Sequence, residues 1–173
     1  PDFCGPRAST DAPRMTKVRR ASKSSQRLAE LTQVVREVDS APDLESALRI
    51  LVGRTREVMG VDICTVFFTE EHDQRHVIAA TDGLSSRVVG NVHYAFGQGL
   101  IGRIAEERRP LNLEQVPEEL DQAFLLQVGD GRYEGFLGVP VVHKTRVQGV
   151  LVVRQREARR FDDADEALLT TLA

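Results

Sequence analysis

Two segments near the start of the chain carry apolar side chains at helical spacing. The first covers roughly residues 26–39, and its apolar positions recur every three or four residues: Leu28, Leu31, Val34, Val35 and Val38. Asp43 can cap a second helix, which Gly60 ends, because glycine readily adopts the left-handed conformation that follows many helix C-termini. The pattern predicts two consecutive amphipathic helices.

Short runs of β-branched and aromatic residues follow, and these predict strands. Residues 61–69 and 75–81 make up the first antiparallel pair, and 91–94 a short third strand. Residues 135–143 and 146–155 make up a second pair, separated by a two-residue turn. Because hairpins join most of these strands, we expect an antiparallel sheet.

The remaining apolar positions predict several smaller pieces. A short helix covers 103–108, an extended piece covers 110–113, and a last helix begins after Phe161-Asp162-Asp163. Residues 114–131 are polar, with a few apolar positions at helical spacing. Helices that flank an antiparallel sheet place the chain in the α+β class.

The charge distribution divides the chain into a basic leader and an acidic body. Residues 1–27 hold seven Lys or Arg against two Asp, whereas the whole chain has a net charge of −3. Residues 1–26 also lack apolar periodicity, so we predict a disordered basic leader there and one folded domain over 27–173. The acidic body argues against nucleic acid as a partner. No apolar run approaches the roughly 20 residues of a membrane helix, so we expect no membrane contact and a cytoplasmic location.

The titratable residues form no recognisable catalytic or metal-binding arrangement. Cys4 lies in the leader, and Cys64 lies in an apolar run where we expect it to be buried. His72 and His76 have the spacing of a metal site on a helix, but they fall in a predicted hairpin. We therefore predict no catalytic residue, no metal and no cofactor in this domain.

The segment F-G-Q-G-L-I-G is a candidate for binding. Its glycines allow a sharp turn, and Gly99 and Leu100 then open a helix whose free N–H groups can attract a carboxylate or phosphate. Equally, the glycines can serve only to shape the loop. The spacing is related to the G-x-G-x-x-G pattern of dinucleotide sites, but no parallel βαβ unit surrounds it, so we reject a nucleotide.

Other residues can complete a site around this short helix. Arg103 and Asn112 can hydrogen-bond a ligand, and Tyr133 and Phe136 can wall it, although each alone is more often a surface or core residue. Small-molecule sites are mostly apolar with a few placed polar groups. The predicted ligand site therefore comprises Gly99, Leu100, Arg103, Asn112, Tyr133 and Phe136. We expect a metabolite-sized space between the short helix and the sheet.

Three separate stretches resemble the GAF domain family. They are G-Q-G-L-I-G-R-I-A-E-E-R-R-P-L-N-L, F-L-G-V-P-V-V-H-K-T-R-V-Q-G-V-L-V-V and F-D-D-A-D-E-A-L-L, and the resemblance covers roughly 27–173. Within that family, V-R-E-V-D-S-A-P-D-L-E-S-A-L and R-Q-R-E-A-R-R-F are similar to the GAF domain of nitrogen-related enzyme I, a phosphoenolpyruvate–protein phosphotransferase. The resemblance implies a central antiparallel sheet with the N- and C-terminal helices on one face and short helices and loops on the other.

The resemblance further implies a regulatory, small-molecule-sensing domain that begins a longer enzyme. Such an enzyme autophosphorylates a histidine of a later domain from phosphoenolpyruvate, with Mg²⁺, and passes the phosphoryl group to a phosphocarrier protein. Glutamine and 2-oxoglutarate are the candidate signals of nitrogen status. We expect the first and last helices to pair in a homodimer, and the chain to be a fragment that ends within its last helix.

Other kinds of GAF module remain open as alternatives. They are a sensory module of a transcriptional activator or sensor kinase, a reductase acting on methionine sulfoxide, and a module for cyclic nucleotides or a chromophore. The reductase chemistry needs several clustered cysteines, and only Cys64 lies inside the predicted domain. Cys64 on a strand is also a poor position for covalent attachment of a chromophore.

Overall fold

A six-stranded antiparallel sheet forms the centre of the computed structural model, which describes residues 23–129 and 131–173. Its strands are β1 (Ile63–Glu70), β2 (Arg75–Asp82), β3 (His93–Ala95), β4 (Leu111–Leu113), β5 (Gly135–His143) and β6 (Arg146–Gln155). The helices are α1 (Lys23–Asp39), α2 (Leu44–Met59), α3 (Gly99–Glu107), α4 (Glu118–Val128) and α5 (Asp163–Leu172), with a 3₁₀ turn at Ser86–Val88. The strand order is β3-β2-β1-β6-β5-β4, and every neighbouring pair is antiparallel.

The ends of two helices follow from capping residues. The carboxylate of Asp43 accepts a hydrogen bond from the Ser46 amide at 2.7 Å, and Gly60 ends α2 with a positive φ of 59°. Asp162 caps α5 in the same way and shares a capping box with Asp165. These contacts confirm the predicted starts of α2 and α5 and the predicted end of α2.

The first helix is longer than its apolar pattern indicated. It begins at Lys23, so residues 23–26 are helical rather than part of the leader. Arg27 donates a hydrogen bond to Asp165 of α5 at 3.2 Å, which ties the first turns of α1 to the rest of the domain. The predicted disorder of residues 1–22 lies outside the described residues. Over the residues that the structure does describe, no helix is both long and apolar enough to cross a bilayer.

Alternation along the strands divides the core into two layers. On one face of the sheet, α2 and α5 pack on apolar side chains such as Cys64 and Leu151, and α1 packs on both helices. On the opposite face, α3 and α4 cover Phe136, Val150 and Val152. We call this second layer the α3/α4 face. The arrangement confirms the predicted α+β fold, with the terminal helices on one side and the short helices on the other.

Two glycines fix the position of α3. A Cβ atom on Gly102 would lie 2.6–2.8 Å from backbone atoms of Gly97, which itself has a positive φ of 72°. A Cβ atom on Gly138 of β5 would lie 2.5 Å from the side chain of Ile104 in α3. The loop before α3 therefore folds back onto the helix, and the helix lies directly on the sheet. These close approaches give the glycines a structural role in shaping the loop.

Gly102→Ala should lower the free energy of unfolding by about 1–3 kcal/mol, because the added methyl group must displace backbone rather than a flexible side chain. Gly53→Ala in α2 is the matched control. Its methyl group would make an ordinary contact of 3.8 Å with Asp82, and alanine favours helix over glycine by about 1 kcal/mol. Urea denaturation of both variants measures the change in the free energy of unfolding that each substitution causes. Equal effects of the two substitutions would contradict the proposed close approach.

Candidate functional site

A buried ion pair lies at the centre of the α3/α4 face. Arg154, near the end of β6, donates a hydrogen bond from Nη1 to the Oδ1 atom of Asp121 in α4 at 2.6 Å. The two side chains are only 5% and 3% exposed. Asp121 supplies the carboxylate that this site requires, because a charged group buried without a partner is strongly unfavourable.

Two aromatic rings enclose the guanidinium of Arg154. Its central carbon lies 3.8 Å from the ring centroid of Phe124 in α4 and 5.1 Å from that of Phe136 in β5. Phe136 is the residue opposite Arg154 in the pairing of β5 with β6, so these two side chains are positioned by the sheet itself. Stacking on aromatic faces suits the planar, delocalised charge of arginine.

Further polar atoms in this layer have unused hydrogen-bonding capacity. The Tyr94 hydroxyl and the Oδ2 atom of Asp121 are buried and have no hydrogen-bond partner among the described residues. Burial raises the pKa of Tyr94 to about 12, while the charges of Arg154 and Asp121 act on it in opposite directions. Tyr94 is therefore a neutral hydroxyl in the same buried cluster as Phe124 and Phe136. Buried polar atoms without a hydrogen-bond partner are uncommon in folded proteins.

Helix α4 is held over the sheet by contacts at its two ends. Gln127 exchanges two hydrogen bonds of 3.3 Å with the backbone of His93 in β3. The amide of Val116, just before the helix, donates to the carbonyl of Glu134 at 2.9 Å. The outer surface of α4 is open to solvent, and Leu126 is 86% exposed. The helix thus has one face on the buried layer and the other in solvent.

The predicted site residues divide into two groups. Leu100, Tyr133 and Phe136 all belong to the buried apolar cluster of the α3/α4 face, and Gly99 begins α3 with a positive φ of 60°. The hydroxyl of Tyr133 accepts a hydrogen bond from Arg156 at 2.9 Å. The structure thus brings these four residues to the same side of the sheet.

Arg103 and Asn112 are placed differently. Arg103 is exposed on α3 and pairs with Glu107 at 2.8 Å. The side-chain amide of Asn112 donates to the carbonyl of Phe161 at 2.9 Å and accepts from its amide at 3.3 Å. Asn112 therefore links β4 to the segment before α5. A ligand role for either residue stays a prediction, and their observed contacts are structural.

Around the predicted site residues, side chains fill the space between the short helix and the sheet. Ile104 of α3 rests on Gly138, and the side chains of Arg154, Asp121 and Phe124 occupy the layer next to it. Sequence reasoning missed Arg154 and Asp121. A signal was present, because Val150, Val152 and Arg154 alternate along β6 and so share one face. A charged residue at the third of these positions requires a buried partner.

A cleft of about 260 Å³ lies near the start of β6, where Ala105 and Glu106 of α3 line it together with Val147 of β6. It is lined by His76, Phe96, Glu106 and Arg108, among other residues. His76 stacks on Phe96 with ring centroids 4.9 Å apart, and burial lowers its pKa. The lining carries both signs of charge, from Glu71 and Glu106 and from Arg108 and Arg146.

Cys64 and the metal-binding side chains of the described residues form no arrangement suited to thiol or metal chemistry. Cys64 is fully buried on the α2/α5 side of the sheet, and burial raises the pKa of its thiol. A neutral thiol on the face away from α3 and α4 is a poor nucleophile and a poor attachment point. Over 23–129 and 131–173, no group of three metal-binding side chains comes together.

Comparisons with known proteins agree on one family. The GAF domain model matches residues 41–173. A phosphoenolpyruvate-dependent phosphotransferase system protein of Escherichia coli is 36% identical over 147 residues, which cover 84% of this chain and 20% of the relative. The chain therefore spans about 20% of the length of the curated relatives it matches.

Solved structures give the same result. The GAF domain of a phosphoenolpyruvate–protein phosphotransferase from Coxiella burnetii is 36% identical and superposes with a TM-score of 0.82, covering 87% of this chain and 90% of that one. The corresponding domain from Acinetobacter is 32% identical with a TM-score of 0.76, covering 85% and 87%.

Replacing only one partner of the ion pair should lower the free energy of unfolding more than the loss expected per residue when both are replaced together. Arg154→Met and Asp121→Leu should each lower the free energy of unfolding by about 3–5 kcal/mol, because each leaves an unpaired buried charge. The double variant should lose much less than the sum of the two. Urea denaturation of all four proteins measures this coupling. Additive losses would show that the two charges do not depend on one another.

Asn112→Ala should reduce stability by about 1–3 kcal/mol, because it leaves the amide and carbonyl of buried Phe161 without their partner. Arg103→Ala serves as the control, since that side chain is exposed and pairs only within α3. Thermal or urea unfolding distinguishes the two. An Asn112→Ala variant as stable as the unmodified chain would contradict the structural role of these two hydrogen bonds.

Proposed function

The chain belongs to the GAF domain family, and on that premise we propose that it is the metabolite-sensing regulatory domain of a nitrogen-type phosphoenolpyruvate–protein phosphotransferase. The observation that carries the proposal is the 36% identity to phosphotransferase system proteins over 84% of this chain. The domain would control phosphoryl transfer by the parent enzyme to a phosphocarrier protein.

In this proposal the chemistry belongs to other domains of the parent protein, in cis. The active histidine and Mg²⁺ are assigned to those domains. His72, His93 and His143 are exposed on turns and strand ends, and His76 is buried in β2, so none of them is given the catalytic role. The proposal further includes a cytoplasmic location and a homodimer formed through the terminal helices.

Glutamine or 2-oxoglutarate is the proposed signal. Both molecules carry a carboxylate, and the buried guanidinium of Arg154 is a group that binds carboxylates well. Side chains pack closely around Arg154, so in this proposal a ligand reaches the guanidinium when α4 moves away from it. Binding would thus favour one arrangement of α4 over another, which is the physical requirement for a sensor.

Calorimetric titration of the 173-residue chain with glutamine and with 2-oxoglutarate tests the proposal. We expect saturable binding of at least one of them with a millimolar or lower Kd. Alanine and pyruvate are the matched controls, because they keep the amino-acid or keto-acid group but lack the longer side chain. If neither glutamine nor 2-oxoglutarate gives a measurable heat of binding at millimolar concentrations, the proposed ligands are wrong.

A further inference from the structure

We propose that Arg154 binds a carboxylate of the metabolite, and that Asp121 occupies the same position as an internal carboxylate until the ligand displaces it. The inference rests on the proposed function, in which a small molecule binds on the α3/α4 face. It adds an anchor residue, a chemical class of ligand and a competitor built into the chain.

One half of the site belongs to the sheet and is fixed. Arg154 and Phe136 lie opposite each other on β6 and β5, and Phe136 is fully buried. A planar guanidinium stacked on a ring has its donors restricted in direction, which suits a carboxylate better than a point charge would. This half is in place before any ligand arrives.

The other half of the site belongs to α4 and can leave as a unit. Asp121 and Phe124 contact Arg154 from the same helix, at 2.6 Å and 3.8 Å. Behind the helix, Gly129 and Gly131 both have positive φ values, of 68° and 89°. Apart from the packing of α4 on α3 and of Phe124 on Tyr133, the helix is held to the sheet region by the pair of 3.3 Å hydrogen bonds between Gln127 and the backbone of His93.

The electrostatics require that the position next to Arg154 is always filled. A lone guanidinium in an apolar layer is unfavourable by several kcal/mol, so Asp121 satisfies it when no ligand is bound. A ligand carboxylate keeps the guanidinium paired, and Asp121 regains its hydration when α4 moves out. The exchange of one carboxylate for another therefore avoids the large cost of breaking a buried pair.

Tyr94 adds a further element of recognition. Tyr94 belongs to the same buried cluster as Phe124 and Phe136, and its hydroxyl has no hydrogen-bond partner among the described residues. A ligand that combines a carboxylate with another polar atom can use this hydroxyl as well as Arg154. We therefore expect small organic acids with a second hydrogen-bonding group to bind more tightly than simple hydrocarbon acids.

Removing the competitor should tighten binding. For whichever of glutamine and 2-oxoglutarate binds the chain, Asp121→Asn should lower Kd by about tenfold or more. Adding Arg154→Gln to this variant should abolish the gain and weaken binding below that of the unmodified chain. Glu119→Gln removes a negative charge from an exposed position of the same helix, and it should leave Kd unaltered. A Kd that Asp121→Asn leaves unchanged, or a gain that survives Arg154→Gln, would overturn the proposal.

Formate tests the anchor independently of the metabolite. Asp121→Ala removes the internal carboxylate, so formate should raise the Tm of this variant more than chloride does at equal ionic strength. The unmodified chain, and the double variant Asp121→Ala with Arg154→Gln, should show no such difference. If Asp121→Ala does not fold, Asp121→Asn is used in its place.

The two experiments separate the possible failures. Formate-specific stabilisation that depends on Arg154 supports the anchor even if neither metabolite binds, and only the proposed ligands are then wrong. If formate and chloride act equally, the anchor is overturned even when glutamine or 2-oxoglutarate binds the domain.

Discussion

The structure of the α3/α4 face depends on the neutralisation of one buried positive charge. Arg154 lies on a central strand, between two aromatic rings, in a layer whose other members are largely apolar. Such a charge is tolerated only beside a carboxylate. Asp121 provides it from α4, which explains why a helix with an exposed apolar residue such as Leu126 remains docked on the sheet.

The opposite face also holds a buried charge, the carboxylate of Asp165, but its two arginine partners are partly exposed. Its core is apolar, and α5 is held by polar contacts at its first turn, where Asp165 receives Arg27 and Arg159. The two faces therefore suit different tasks. The α2/α5 side anchors the helices at the two ends of the domain. In our proposal, the α3/α4 face holds α4 by an interaction that a soluble anion can replace.

The sequence predicted most of the scaffold because the relevant interactions are local. Asp43 and Gly60 cap α2 through their immediate neighbours, and the strand-type runs on either side of a two-residue turn defined β5 and β6 to the residue. The site was harder to predict, because Arg154 and Asp121 are separated by 33 residues and meet only after α4 has docked. Asn112 shows the same limitation, since its partner Phe161 is 49 residues away and its linking role depends on the finished fold.

Hydrogen exchange of the α4 amides, with and without saturating metabolite, tests the central claim most directly. If the ligand replaces Asp121 on Arg154, the amides of residues 118–128 should exchange faster in the complex while those of β5 and β6 exchange more slowly. Protection of α4 that increases together with the sheet would contradict the account, because it would mean that the helix stays docked and that Asp121 is not displaced.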